Sequence, residues 1–143
     1  MDISKIKVDR IEVPTTKTDV IVQAGQMLVD SGFVAPEYID LMLEREKIVT
    51  TYIGNHLSIP HGTSESQAMI HESGISILQI PNGVKFDEET AYLVVGIAGK
   101  DGTHMDILSR IAISCSDPEV VLKASKLEHR ESIIELLLGD DDE

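Results

Sequence analysis

The spacing of apolar residues changes period along this chain of 143 residues, and the changes mark its elements. Ile6, Val8, Ile11 and Val13 give a short extended start that stops at Pro14. Val20, Ile21, Ala24, Met27 and Leu28 then recur every three to four residues, the spacing of a helix with one buried face. Thr16 or Thr18 can cap it, and Ser31-Gly32 ends it. Pro36 is read as opening a second helix through Ile39, Leu41, Met42 and Leu43, which closes in the charged stretch Glu44-Arg45-Glu46-Lys47. Residues 55–60, 75–80 and 92–98 are short apolar runs bounded by Gly, Pro and Asn, as expected of strands buried in a sheet. Three further helices are predicted. The first starts at Thr103 and carries Ile107, Leu108, Ile111 and Ala112. The second has Asp117 as cap and Pro118 in its first turn, and the third runs through Ile133, Ile134, Leu136 and Leu137 to Gly139. Strands interleaved with helices imply a layered α/β domain with helices on both faces of the sheet.

Composition narrows the function. With 42% hydrophobic residues the chain can bury one core, so residues 1–139 are read as a single domain and the acidic residues 140–143 as a frayed tail. A net charge of −13 argues against nucleic-acid binding, which rests on clustered Lys and Arg. No run approaches the roughly eighteen consecutive apolar residues of a membrane-spanning helix, and no secretory signal is read at Met1 to Arg10. Cys115 is the single cysteine, which excludes an internal disulfide and fits a reducing cytoplasm. The Gly-rich phosphate loops, the Gly-x-Ser-x-Gly elbow and the His-Glu-x-x-His pattern are all missing, so nucleotide-binding, hydrolase and zincin readings lack their signatures.

Five histidines are the candidates for chemistry. His129 stands among charged residues at a helix start, His71 in an exposed turn, and His56 at the opening of a strand. His61 differs, because it follows the strand Leu57-Ser58-Ile59-Pro60 and precedes Gly62-Thr63-Ser64. Loops beyond strand ends form the crevices of α/β sheets. Pro60 stiffens the approach, Gly62 admits a bulky group, and Thr63 and Ser64 offer donors to anionic oxygens. An imidazole is largely neutral at cytoplasmic pH and can attack phosphorus without a separate base. For His104, Gly102 loosens the chain and Thr103 with Asp106 makes a variant capping box. That places His104 in the first turn of a helix, where the dipole favours a neutral ring. The alternative is a histidine that merely tops an exposed helix. Arg45 reads either as a solvated helix end or as a guanidinium whose fork suits phosphoryl oxygens. Cys115 reads as a core or boundary residue with nothing beside it to activate the thiol.

Taken in order, several segments resemble one family. They are Met42-Leu43-Glu44-Arg45-Glu46-Lys47, Tyr52-Ile53-Gly54, Ser58-Ile59-Pro60-His61-Gly62-Thr63, Gln79-Ile80-Pro81-Asn82-Gly83-Val84-Lys85-Phe86, and Val95 through His104. Together they are similar to the enzyme IIA component of the bacterial phosphoenolpyruvate-dependent sugar phosphotransferase system, mannitol branch, over about residues 6–139. The resemblance implies a three-layer α/β/α sandwich with a mixed sheet. It implies that His61 accepts a phosphoryl group from the phosphocarrier HPr and gives it to a cysteine of a mannitol IIB or IIBC component. It further implies that His104 is the second active-site histidine and that Arg45 helps bind the phosphoryl group, with neither metal nor cofactor. Residues 64–71 depart from the family pattern. Two other readings stand beside this one: a regulatory, nitrogen-type IIA whose phosphorylation is a signal, and a metal-dependent hydrolase using His56, His61 and His104. The second is disfavoured if the strand continues to His61, because residues five apart on a strand point to opposite faces.

Overall fold

The computed structural model describes residues 2–139, so the acidic residues 140–143 lie outside the described residues. A five-stranded sheet runs through the middle, in the order β1 (Ile6–Arg10), β4 (Gly74–Phe86), β5 (Glu89–Ala98), β3 (Leu57–Ser58), β2 (Tyr52–Gly54). Two pairings are parallel, β1 with β4 and β3 with β5; β4 with β5 and β2 with β3 are antiparallel. The sheet is therefore mixed, as the family resemblance implied.

Alternation along the two longest strands builds a core on each face. Leu78, Ile80 and Val94 pack toward α1 (Lys17–Asp30) and α2 (Tyr38–Ile48) with Val20, Leu28 and Met42. Ile75, Ile77, Leu93 and Val95 pack toward α3 (Met105–Ser114), α4 (Pro118–Ala124) and α5 (Arg130–Leu138) with Ile107, Ile111 and Ile133. Both faces of the central strands are buried, which is why they read as continuous apolar runs. Each such side chain contributes about 1.5–3 kcal/mol on burial, so the two cores lock the sheet between its helices.

Several ends match their sequence signals. Thr16, rather than Thr18, caps α1 by accepting the Asp19 amide at 3.2 Å, and Asp117 caps α4 by accepting that of Glu119. Gly139 follows α5 with a positive φ.

Other ends differ, each for a local reason. The turn from Pro36 is wound by bonds of the i to i−3 kind, Ile39 to Pro36 and Asp40 to Glu37, so α2 proper starts at Tyr38. The strand expected over 55–60 is only Leu57–Ser58, because Asn55 and His56 adopt positive φ and turn the chain back from β2. His56 thus makes a turn instead of opening a strand. The strand expected over 75–80 runs on to Phe86, since Pro81-Asn82-Gly83 form an irregularity in the pairing and not a stop. A tight turn at Asp87-Glu88 then returns the chain along β5. Among the described residues, no helix is long and apolar enough to cross a membrane.

Candidate functional site

His61 lies where β3 leaves the sheet. Its neighbour Pro60 accepts the Ile97 amide at 3.0 Å, which fastens the segment to the end of β5 in a parallel bridge. The imidazole Nδ1 is 2.8 Å from the carbonyl oxygen of Ile59. A carbonyl can only accept, so Nδ1 carries the hydrogen and Nε2 keeps its lone pair. One backbone contact thereby fixes both the tautomer and the ring orientation.

Beyond β3 and β5 the molecule opens a cleft of about 250 Å³, and His61 and His104 both line it. Tyr38, in the first turn of α2, forms another wall. Its hydroxyl donates to the Ile97 carbonyl at 2.7 Å and accepts the Gly62 amide at 3.0 Å. A buried tyrosine must find partners for its oxygen, and here those partners join the His61 loop to β5. Burial also raises the Tyr38 pKa above its ordinary 10.0, so the hydroxyl keeps its proton. Sequence reasoning missed this residue. Its only local signal is an aromatic with a polar tip at the start of an apolar helix, and the groups it joins are distant in sequence.

His104 occupies the N-cap of α3, one position before the first turn predicted for it. Thr103 does not cap the helix, because its hydroxyl is engaged with Ser73 Oγ at 2.6 Å and the Lys100 carbonyl at 2.8 Å. Ser73 Oγ also accepts the Lys100 amide at 2.8 Å. Asp101 and Gly102 take successive positive φ values and deliver His104 to the helix start. The ring is half-buried, and burial pushes its pKa below the ordinary 6.5. The cause differs from the dipole effect expected from sequence, but the consequence is the same: a neutral ring near pH 7, with one N–H to donate. Its Nδ1 is buried and has no protein partner.

Arg45 is not brought to the cleft. It sits in the last turn of α2, where Nη1 donates to the Val49 carbonyl at 2.7 Å. It is seven residues from Tyr38, so it lies on the same side of the helix, about 10 Å further along. Of the donors expected after His61, Ser64 is exposed, whereas Thr63 is buried with no protein partner for Oγ1. His56 points elsewhere: its Nδ1 meets the Thr90 carbonyl and its ring stands edge-on to Tyr92, so it does not join the other two histidines. His71 is exposed, and His129 occupies the N-cap position of α5 without a capping bond from its ring. Cys115 is buried at the end of α3, and burial pushes its thiol up to about 11.

This arrangement offers one fixed nucleophilic nitrogen and one neutral imidazole in an open cleft, which suits transfer of a small anionic group between side chains. Comparison with known proteins is in keeping with it. Residues 3–139 match the model of the family described as phosphoenolpyruvate-dependent sugar phosphotransferase system, EIIA 2. The chain is 48% identical over 122 residues to the mannitol-specific phosphotransferase enzyme IIA component of Geobacillus stearothermophilus, covering 85% of this chain and 84% of that one. The Bacillus subtilis protein of the same name is 46% identical over 121 residues, 84% of this chain and 85% of the relative. Among solved structures, IIA mannitol from Escherichia coli superposes with a TM-score of 0.81 at 33% identity, covering 96% and 98% of the two chains. IIAMTL in its complex with phosphorylated enzyme IIBMTL, from the same organism, superposes at 0.83 with 32% identity and 98% of both chains covered. The chain belongs to the EIIA 2 family of the phosphoenolpyruvate-dependent sugar phosphotransferase system.

Proposed function

We propose that this protein is the phosphoryl carrier of a mannitol transport system, working in the cytoplasm between HPr and a mannitol IIB or IIBC component. The observation that carries the reading is the bond from His61 Nδ1–H to the Ile59 carbonyl, which leaves Nε2 as the ring's lone-pair nitrogen in a cleft shared with His104. In the first step Nε2 attacks phosphorus in line, and the Nε2–P bond forms as the P–N bond of phospho-HPr breaks. The donor imidazole leaves with the electron pair. His61 keeps its Nδ1 proton throughout, and its bond to the carbonyl strengthens as the ring gains positive charge. In the second step a cysteine thiolate of IIB attacks the same phosphorus, the S–P bond forms as the Nε2–P bond breaks, and the electron pair returns to Nε2 to restore neutral His61.

His104 donates one hydrogen bond to a phosphoryl oxygen. Arg45 enters on docking, exchanging its exposed bond to the Val49 carbonyl for a charged acceptor. Support for mannitol comes from the names of the relatives at 46–48% identity and of the two superposed structures. The test is to load the protein from phosphoenolpyruvate, enzyme I and HPr, and then add mannitol IIB. Transfer of the label to the IIB cysteine supports the reading. A loaded protein that gives nothing to mannitol IIB refutes the transport role.

A further inference from the structure

Glu46 is almost entirely buried, at 6% exposure for the residue, and the mechanism above does not use it. It lies one residue after Arg45 in the last turn of α2 and is the hub of a polar network. Oε1 accepts the Thr51 amide at 2.8 Å and the Thr51 hydroxyl at 2.6 Å. Oε2 accepts the Thr50 hydroxyl, and Lys17 Nζ stands 3.6 Å away. Thr51 has spent its only hydroxyl hydrogen on Glu46, so the 3.0 Å contact between Thr51 Oγ1 and the buried Ser58 Oγ must have Ser58 as donor. Hydroxyl donates to hydroxyl and then to carboxylate, in one direction, from β3 to the end of α2.

The network reaches the site through one backbone–backbone bond and one bond from the His61 ring to the backbone. The Thr51 carbonyl accepts the Ile59 amide at 3.0 Å, and the Ile59 carbonyl accepts His61 Nδ1–H at 2.8 Å. Glu46 holds Thr51 by two atoms, Thr51 holds Ser58 and Ile59, and Ile59 sets the ring of His61.

We propose that Glu46 is a positioning residue that fixes the tautomer and orientation of His61 through Thr51 and Ile59. The proposal rests on the carrier reading for its functional meaning, but not for its test. A buried acceptor with three donors is costly to remove, since each donor is left without a partner. Withdrawal of Glu46 frees Thr51 to rotate, which loosens the Ile59 carbonyl. His61 then drifts toward the Nε2–H form, whose lone pair lies on the wrong nitrogen.

The experiment records the ¹⁵N signals of His61 in unphosphorylated wild type, Glu46→Ala and Glu46→Gln, together with initial rates of phosphorylation by phospho-HPr. Wild type is expected to show Nδ1–H. Glu46→Ala is expected to show a large Nε2–H population and a rate lower by on the order of tenfold, the scale of effect that small misplacements of a reacting group produce. Glu46→Gln, whose amide oxygen still accepts from Thr51, is expected to keep the wild-type tautomer and most of the rate, which loss of a merely structural charge would not do. A folded Glu46→Ala with the wild-type ¹⁵N pattern overturns the proposal. If that variant does not fold, Glu46→Asp, one methylene shorter, is read in the same way: a displaced tautomer supports the proposal and an unchanged one overturns it. Because the tautomer is read without phosphate, an unlabelled His61 in wild type would defeat the carrier reading and leave this test standing.

Discussion

The ring of His104 lies against the backbone of Gly99 so closely that a β-carbon added there would sit 2.2 Å from Cε1 and 2.5 Å from Nδ1. Real β-carbons do not approach other atoms so nearly, so any side chain at this position displaces the imidazole. Gly99→Ala is expected to fold, because the clash falls on one half-buried ring and not on the core. Phosphoryl transfer should slow by roughly ten- to a hundredfold, as it does when a positioned group is shifted by about an ångström. Comparison of transfer rates and His104 NMR shifts with those of wild type checks this. A normal rate with a shifted ring would remove His104 from the reaction.

Tyr38→Phe keeps the ring in its slot and removes only the oxygen that joins Gly62 to Ile97. The Gly62 amide and the Ile97 carbonyl each lose a partner, at an expected cost of about 1–3 kcal/mol in urea unfolding. Phosphorylation of His61 should also slow, since the loop that bears it is untied from β5. Loss of stability with no loss of rate would show that the clamp serves only the fold.

Protonation of His104 links stability to pH with a definite sign. Burial holds its folded pKa below 6.5, so between that lowered value and 6.5 the unfolded chain binds more protons than the folded one. Stability from this group is therefore full above about pH 6.5 and is lost as pH falls through the folded value. His104→Ala should flatten the fall in unfolding free energy across that window. Denaturation series at several pH values, wild type against variant, measure it.

Cys115 is buried, and its thiol is pushed up to about 11, so almost none of it is thiolate at neutral pH. The native protein is expected to resist thiol reagents at pH 7–8 and to react quickly in denaturant. Rapid labelling of the folded chain would contradict the packing described for the end of α3.

Much of this was legible in the sequence where the controlling interactions are local. The helical period of Val20 to Leu28, the Thr16 and Asp117 caps and the glycine after α5 depend on residues within a few positions of one another. His61 and His104 stood out for similar reasons, one just past a strand and one at a helix start. What escaped was set by distant partners. Pro81-Asn82-Gly83 looks like a terminator, yet pairing with β5 resumes at Val84 and carries β4 on to Phe86. Asn55 and His56 carry no glycine to announce their positive φ. Tyr38 meets Gly62 and Ile97 across 24 and 59 residues, so nothing local marks its role. Glu46 looked like one more charge at a helix end, and only the fold turns it inward onto Thr51.

The role of His61 is tested most directly by the position of the acid-labile phosphate after incubation with phosphoenolpyruvate, enzyme I and HPr, mapped by mass spectrometry and by ¹⁵N NMR. The expected result is a label on Nε2 of His61, none in His61→Ala, and slowed labelling of otherwise folded protein in Arg45→Ala and His104→Ala. A label on another residue, or one that persists in His61→Ala, would contradict it.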